Sequence, residues 1–294
     1  MNVLPRAIDS VLEQSMGDLE LIIIDDCSTD NTKEVIKSYT DDRVTYVRLD
    51  KNMGANAARN KGIKESEGDI VAFLDSDDQF EPNYLGKVLN QFDSRSNRCI
   101  GTYSSRIIYK DGDKTNVTIA DQAIKYEEIL VKNKIGGFSN TAFRRRIFEE
   151  VGYLDEEMSS SQDYDFFIRA LQPDDYLIQP IRDAYIGYHI HDQGETRIGA
   201  NLQKKIEGQN RLLEKHRDKF PQAGIANQYY QRGMAHARSG NMGAARFFFW
   251  KGLRTNPRSW RHWYHLFASF GGRYGIQAAS WFKKTFKRLF FHIR

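Results

Sequence analysis

The chain has 294 residues, 40% hydrophobic and 28% charged, a composition that excludes a disordered or fibrous chain. Its two cysteines, Cys27 and Cys99, exclude a disulfide framework and a CxxC metal site, and they fit a reducing compartment. The net charge of +4 hides a division: no Asp or Glu follows Asp218, whereas residues 219–294 hold 14 Lys and Arg, leaving 29 basic against 39 acidic residues before them. An acidic front and a basic tail imply two modules with different partners. No apolar run reaches the roughly 18 residues of a spanning helix. The first residues, MNVLPRAIDSVLEQ, read as an amphipathic polar segment and not as a signal peptide, so the expected location is cytoplasmic.

In chain order, Leu4, Ala7, Ile8, Val11 and Leu12 give residues 4–15 helical periodicity. Residues 19–24 form a continuous apolar run ending in Asp25-Asp26, the pattern of a buried parallel strand. Ser28-Thr-Asp-Asn-Thr then supplies an N-cap for a helix to about Tyr39. A short strand over 44–49, a small-residue helix over 54–64 and a strand over 69–74 follow. This alternation predicts a doubly wound α/β sheet. Residues 84–92 look helical, 100–110 with Asp111-Gly112 look like a hairpin, and a helix begins near Asp163 and runs to Leu171. Pro173 and Pro180 bracket another short strand.

From about Ile225 the texture changes. Tyr229, Gly233, His236, Gly240, Ala245, Phe249 and Pro257 fall at the spacing of one 34-residue tetratricopeptide unit, with a capping helix over 260–270. The expected organisation is residues 1–218, then a helical hairpin over 219–272, then a basic amphipathic helix over 273–294. On that last helix Ala279, Phe282, Phe286, Leu289, Phe290 and Ile293 share a face opposite Lys283, Lys284, Lys287 and Arg288. A helix of this kind over 275–294 suits an anionic membrane surface at the inner face of the cell membrane. No nucleic-acid motif accompanies the charge.

The chemistry concentrates in FLDSDD, residues 73–78. Asp75, Asp77 and Asp78 are three carboxylates at the C-terminal tip of a strand, an oxygen-only set suited to Mg²⁺ or Mn²⁺ bridging phosphates. An acidic turn on a solvated loop is the plainer alternative. Asp25 and Asp26 end another strand, where a carboxylate can accept from a nucleobase imide or ribose hydroxyls, or merely cap a helix. Asn52-Met-Gly54 is a tight turn opening a helix that carries Arg59, a candidate partner for the nucleotide or its phosphates. Tyr188-His189-Ile190-His191 places two His on one strand face, compatible with metal binding.

LELIIIDDCSTDNT (19–32), NMGANAARNKGI (52–63), GDIVAFLDSDD (68–78) and SSQDYDFFIRAL (160–171) occur in that order. Together they resemble the inverting family 2 glycosyltransferases, over about residues 4–200. The resemblance implies the GT-A fold, a Rossmann-like mixed α/β sheet flanked by helices, here followed by a small α-helical region. It implies transfer of a sugar from a nucleotide-diphospho-sugar donor to a hydroxyl of a cell-surface glycan or lipid-linked saccharide. It assigns nucleotide-sugar binding to Asp25, Asp26 (chiefly), Asn52, Arg59 and Asp75, and metal binding to Asp77, Asp78 and His191. Asp163 is the implied general base, with Asp165 its competitor. Similar enzymes begin with an apolar strand that lies between the strands ending at Asp26 and Asp75. That strand is not found here, so the true start is expected upstream. The rival readings are a nucleotidylyltransferase, for which the Gly-rich phosphate loop is missing, and a catalytically weak nucleotide-sugar-binding or scaffold protein acting through its helical tail.

Overall fold

The structure is a computed structural model that describes residues 3–93, 97–173, 175–190, 202–272, 274–276 and 278. It divides into two compact units, residues 1–129 with 133–195, and residues 130–132 with 196–294.

The first unit opens with helix α1 (Val3–Leu12), which buries Ala7, Ile8 and Val11 at helical spacing. Strands β1 (Leu21–Asp25) and β2 (Val44–Arg48) pair in parallel, with α2 (Thr32–Lys37) in the crossover between them. Helix α3 (Ala55–Glu65) starts at Gly54, whose φ of 90° only glycine adopts without strain. Strand β3 (Ile70–Ala72) leads into the acidic loop, and β4 (Gln79–Phe80), α4 (Tyr84–Asp93), β5 (Cys99–Lys110) and β6 (Asp113–Thr118) follow. The expected hairpin at Asp111-Gly112 is present, with Asp111 (φ 53°) and Gly112 (φ 91°) both left-handed.

Beyond it the sequence reading was too coarse. Helices α5 (Tyr126–Val131) and α6 (Arg146–Val151) and strand β7 (Thr141–Arg144) carry no periodicity long enough to recognise. Helix α7 (Gln162–Ala170) holds Asp163 in its first turn. The short strand expected between the two prolines is instead the 14-residue β8 (Leu177–Ile190), with Pro180 inside it. Pro180 is tolerated where the β5–β8 register approaches its shift at Ser104 and Ser105.

Six strands form one sheet in the order β3-β7-β5-β8-β4, with β6 on β5; β1 and β2 form a separate two-stranded sheet. Among the described strands β1 has β2 as its one neighbour, and β3 has β7. Residues 21–24 and all of β3 are accordingly only half-buried, although their apolar runs suit full burial. Glu20 Oε1 still ties the two strand entrances together, accepting from the N–H groups of Glu67 (2.7 Å) and Gly68 (2.9 Å).

An aromatic cluster lies beneath the acidic loop. Phe73 packs on Phe138 (5.0 Å between centroids) and Phe148 (6.0 Å), and Phe143 meets Phe166 edge-on at 5.1 Å. Gly101 makes room for Phe143: a Cβ there would lie 2.5 Å from the ring.

The second unit holds α8 (Leu202–His216), α9 (Gln222–Arg238), α10 (Met242–Thr255) and α11 (Trp260–Phe270). Asn241 caps α10 by accepting from Ala244 N–H at 3.0 Å. Gly233 lets α9 approach α10, since a Cβ would meet Phe249 at 2.5 Å. No described helix is long and apolar enough to cross a membrane.

Candidate active site

The three carboxylates of the acidic loop converge. One ligand oxygen from each of Asp75, Asp77 and Asp78 lies within 4.8 Å of the others. The loop holds this shape through its own backbone, Asp78 N–H donating to Asp75 O (3.0 Å), and through Asp75 N–H donating to Ser139 Oγ at 2.9 Å. Asp78 is fully buried. Its Oδ1 accepts from His189 N–H at 3.3 Å, whereas Oδ2 is buried with no hydrogen-bond partner. Burial first, then the neighbouring charges of Asp75 and Asp77, raise its pKa to about 7. Leaving such an oxygen unsatisfied costs about 1–3 kcal/mol or more, so a buried carboxylate with one unpartnered oxygen, beside two other carboxylates, fits a divalent cation.

Arginines surround the cluster. Arg59 Nη2 pairs with Asp75 Oδ1 at 2.6 Å, its guanidinium lies 5.3 Å from the Phe138 ring centroid, and its Nη1 is buried without a partner. Arg6 Nη2 donates to Asp77 O at 2.6 Å. Arg106 on β5 feels the charges of Asp78 and Asp163 together, although burial is the larger influence and lowers its pKa. Gly136, at φ 111°, leaves space for it: a Cβ there would lie 2.7 Å from Arg106 Nη1. Asn133 holds this turn, accepting from Ile135 and Gly136 N–H through Oδ1 and donating to Gly136 O.

Asp163 stands within electrostatic reach of Asp75 and Arg59. Burial raises its pKa to about 6; the N–H of Tyr164 and the Arg59 charge pull the other way. Two asparagines of the 52–63 motif secure the loop leading to it. Asn60 exchanges hydrogen bonds with the backbone of Leu154 (2.9 Å each way), and Asn56 Nδ2 donates to Asp155 O at 2.7 Å. Asp165, the alternative base, is buried and paired with Arg169 at 3.0 Å, and Arg169 is anchored on the carbonyls of Val151, Gly152 and Tyr153.

The first acidic pair divides its labour. Both Asp25 oxygens are taken by protein donors: Oδ1 by Ser28 N–H (2.7 Å), Oδ2 by Tyr46 O–H (2.7 Å) and Arg48 (2.9 Å). Its side chain has no exposed surface. Burial works against the Asp25 carboxylate, but these donors outweigh it and its pKa lies below the ordinary range. Asp26 instead reaches the start of α3, accepting from Met53 N–H (2.6 Å) and Gly54 N–H (2.8 Å), while Asn52 Nδ2 donates to Asp26 O at 3.2 Å. His191 lies outside the described residues. His189 stacks on Tyr109 at 4.8 Å and contacts Gln79 Oε1 at 3.3 Å.

Sequence reasoning missed Arg6, Arg106 and Ser139. For Arg106 a signal exists: it is the lone charge in a stretch of uncharged residues, CIGTYSSRII, and a charge in such a strand needs carboxylate partners.

Carboxylates that follow the C-terminal ends of β1 and β3, with an unpaired guanidinium nitrogen beside the second set, suit the handling of phosphates and a cation in an α/β protein. The chain matches the family model described as glycosyl transferase family 2 over residues 2–152. It is 32% identical over 207 residues to an uncharacterized glycosyltransferase of Haemophilus influenzae, spanning 69% of this chain and 70% of that one. It is 27% identical over 205 residues to the succinoglycan biosynthesis protein ExoO of Rhizobium meliloti, spanning 66% of this chain and 58% of that one. Among solved structures, S. aureus TarS 1–349 in complex with UDP-GlcNAc superposes with a TM-score of 0.63 at 17% identity, over 92% of this chain and 84% of that one. The chain belongs to glycosyl transferase family 2 and has the GT-A fold.

Proposed function

We propose that this glycosyltransferase moves a sugar from a nucleoside-diphosphate donor to a hydroxyl of a cell-surface glycan or lipid-linked saccharide, with inversion at the anomeric carbon. The observation that carries the reading is the buried, unpartnered Asp78 Oδ2 within a three-carboxylate cluster beside Asp163. TarS was solved with UDP-GlcNAc, and the ExoO name refers to succinoglycan synthesis, which supports a nucleotide-sugar donor and an envelope-glycan acceptor.

Asp75, Asp77 and Asp78 would hold Mg²⁺ or Mn²⁺, which when bound neutralises charge on the departing diphosphate. Asp26, the Asn52–Gly54 turn and Arg59 would hold the nucleotide, with Asp25 supporting them by shaping the 25–28 turn. Asp163 takes the acceptor hydroxyl proton as that oxygen bonds to the anomeric carbon and the bond to the diphosphate breaks. Arg106 balances the charge of Asp78 and Asp163. Arg106→Gln therefore raises the pKa of both carboxylates, and the acid limb of the pH–rate profile moves up by about 0.5–1 unit. An unmoved limb would remove Arg106 from the site's electrostatics.

The deciding experiment presents UDP-, GDP- and dTDP-sugars with and without Mn²⁺, following nucleoside-diphosphate release and thermal stability. Metal-dependent release with one donor class supports the reading. No turnover and no ligand-induced rise in Tm sinks it. The basic tail over 275–294, most of it outside the described residues, is part of the proposal as a contact with the inner membrane face.

A further inference from the structure

Helix α11 is amphipathic the wrong way round for a soluble hairpin. Its inward face carries His262, His265 and Ser269, all buried. His262 Nε2 lies 2.8 Å from Ala226 O, and His265 Nε2 lies 3.2 Å from the Tyr230 hydroxyl. Its outward face carries Trp260, Trp263, Phe267 and Phe270 at i, i+3, i+7 and i+10, a stripe roughly 15 Å long. On α10 the solvent face adds Phe247 and Trp250, so six aromatic side chains are between 45% and 68% exposed. The two helices run antiparallel: Gly252 meets His262 near their connection, and Arg246 lies over Phe270, 4.9 Å from its centroid, near the opposite ends. The aromatic faces are therefore neighbours. Monomeric proteins rarely leave a patch of this kind bare.

The charges around the patch identify what covers it. Lys251 lies 4.6 Å from the Phe247 centroid, Arg254 lies 5.0 Å from that of Trp250, and Arg258 is exposed in the connection. No carboxylate follows Asp218. A second copy docking through this same face would set these cations against one another, which disfavours a symmetric dimer here. Single-stranded nucleic acid needs open ring faces to stack upon. Here Trp263 and Phe267 stack on each other (5.9 Å, 18°), and cations occupy faces of Phe247, Trp250 and Phe270. What remains outward is ring edge and aliphatic stem beside positive charge, the chemistry of the headgroup layer of an anionic bilayer.

We propose that the outer face of α10 and α11 is a membrane-surface contact, seating Trp260, Trp263, Phe267 and Phe270 among the headgroups of anionic lipids. It is a second contact beside the proposed tail, and it rests neither on that tail nor on the transferase reading, because vesicle binding needs no nucleotide sugar.

The test uses the full chain with vesicles of phosphatidylcholine alone or mixed with phosphatidylglycerol, read by co-sedimentation and tryptophan emission. All four tryptophans follow residue 249, so emission reports on this unit alone. Expected are a blue shift and at least about tenfold stronger partitioning to the anionic vesicles. Trp263→Ala with Phe267→Ala should lower that partitioning at least about tenfold while leaving circular dichroism and nucleoside-diphosphate release unchanged. A companion variant with Lys283, Lys284, Lys287 and Arg288 changed to Gln should still bind through the aromatic face, more weakly. Three results overturn the proposal. One is no partitioning of the wild type. Another is full partitioning of the double aromatic variant, which would assign binding to the tail. The third is unchanged vesicle binding while the double variant loses a dimer or an oligonucleotide complex, which would assign the face to that occupant.

Discussion

Asp78→Asn is expected to abolish metal-dependent turnover, at least about 10³-fold, while raising the stability of the metal-free protein above neutral pH. The sign follows from the raised pKa of about 7 in the fold, against an ordinary 3.8. Below about pH 4 the group is protonated whether the chain is folded or not, and it adds no penalty. Between about 4 and 7 the unfolded chain ionises first, so the folded state loses stability as pH rises; above 7 the whole penalty is present. The gap between the two values sets an upper bound of about 4 kcal/mol, and relaxation brings it nearer 2. Asparagine carries no charge into this pocket, so at pH 8 Tm should rise by several degrees in EDTA. Mn²⁺ should raise the wild-type Tm and leave that of the variant unmoved. A variant that melts lower than wild type in EDTA at pH 8, or keeps the Mn²⁺ increment, would separate Asp78 from any cation site.

Much of this was legible in the sequence because the signals were chemical as well as periodic. The apolar runs ending in Asp25-Asp26 and FLDSDD marked strand tips, and those strands deliver their carboxylates as expected. The 52–63 motif was visible, yet two of its asparagines turn out to fasten the loop that leads to Asp163, a role set by tertiary contacts about 95–100 residues away. The resemblance favoured Asp26 over Asp25 without a local reason; the Tyr46 and Arg48 partners on β2 supply one, since they occupy the Asp25 carboxylate. The same limit hid β7. Its four residues, Thr-Ala-Phe-Arg between β3 and β5, are too short a run to show a strand's alternation, whereas β8 was underestimated because Pro180 suggested an end and not a place where the register shifts. Continuous apolar strands suit neighbours on both edges, and among the described strands β1 has only β2 and β3 only β7.

Asp163→Asn should separate chemistry from binding. The residue sits in the first turn of α7, raised by burial to about 6, and is not used up by a partner cation as Asp165 is. A general base works best with a pKa near the working pH, and its ionised form dominates above about pH 6. Wild-type kcat/KM should therefore rise with pH through about 6, dropping about tenfold for each unit below it. Asparagine has the same shape but accepts no proton, so kcat should fall about 10³-fold and the limb near pH 6 should vanish. Stabilisation by donor and Mn²⁺ should persist, because the cation is proposed to sit on the clustered oxygens of Asp75, Asp77 and Asp78. That pattern is the reverse of Asp78→Asn, which loses the metal response together with turnover. If Asp163→Asn retains turnover within about tenfold, Asp163 is a helix-terminal carboxylate stabilised by the macrodipole and the proton leaves by another route. If it loses turnover and the metal response together, Asp163 belongs to the cation site. Only loss of turnover with the metal response intact assigns the proton to Asp163, and it does so without requiring the identity of the acceptor.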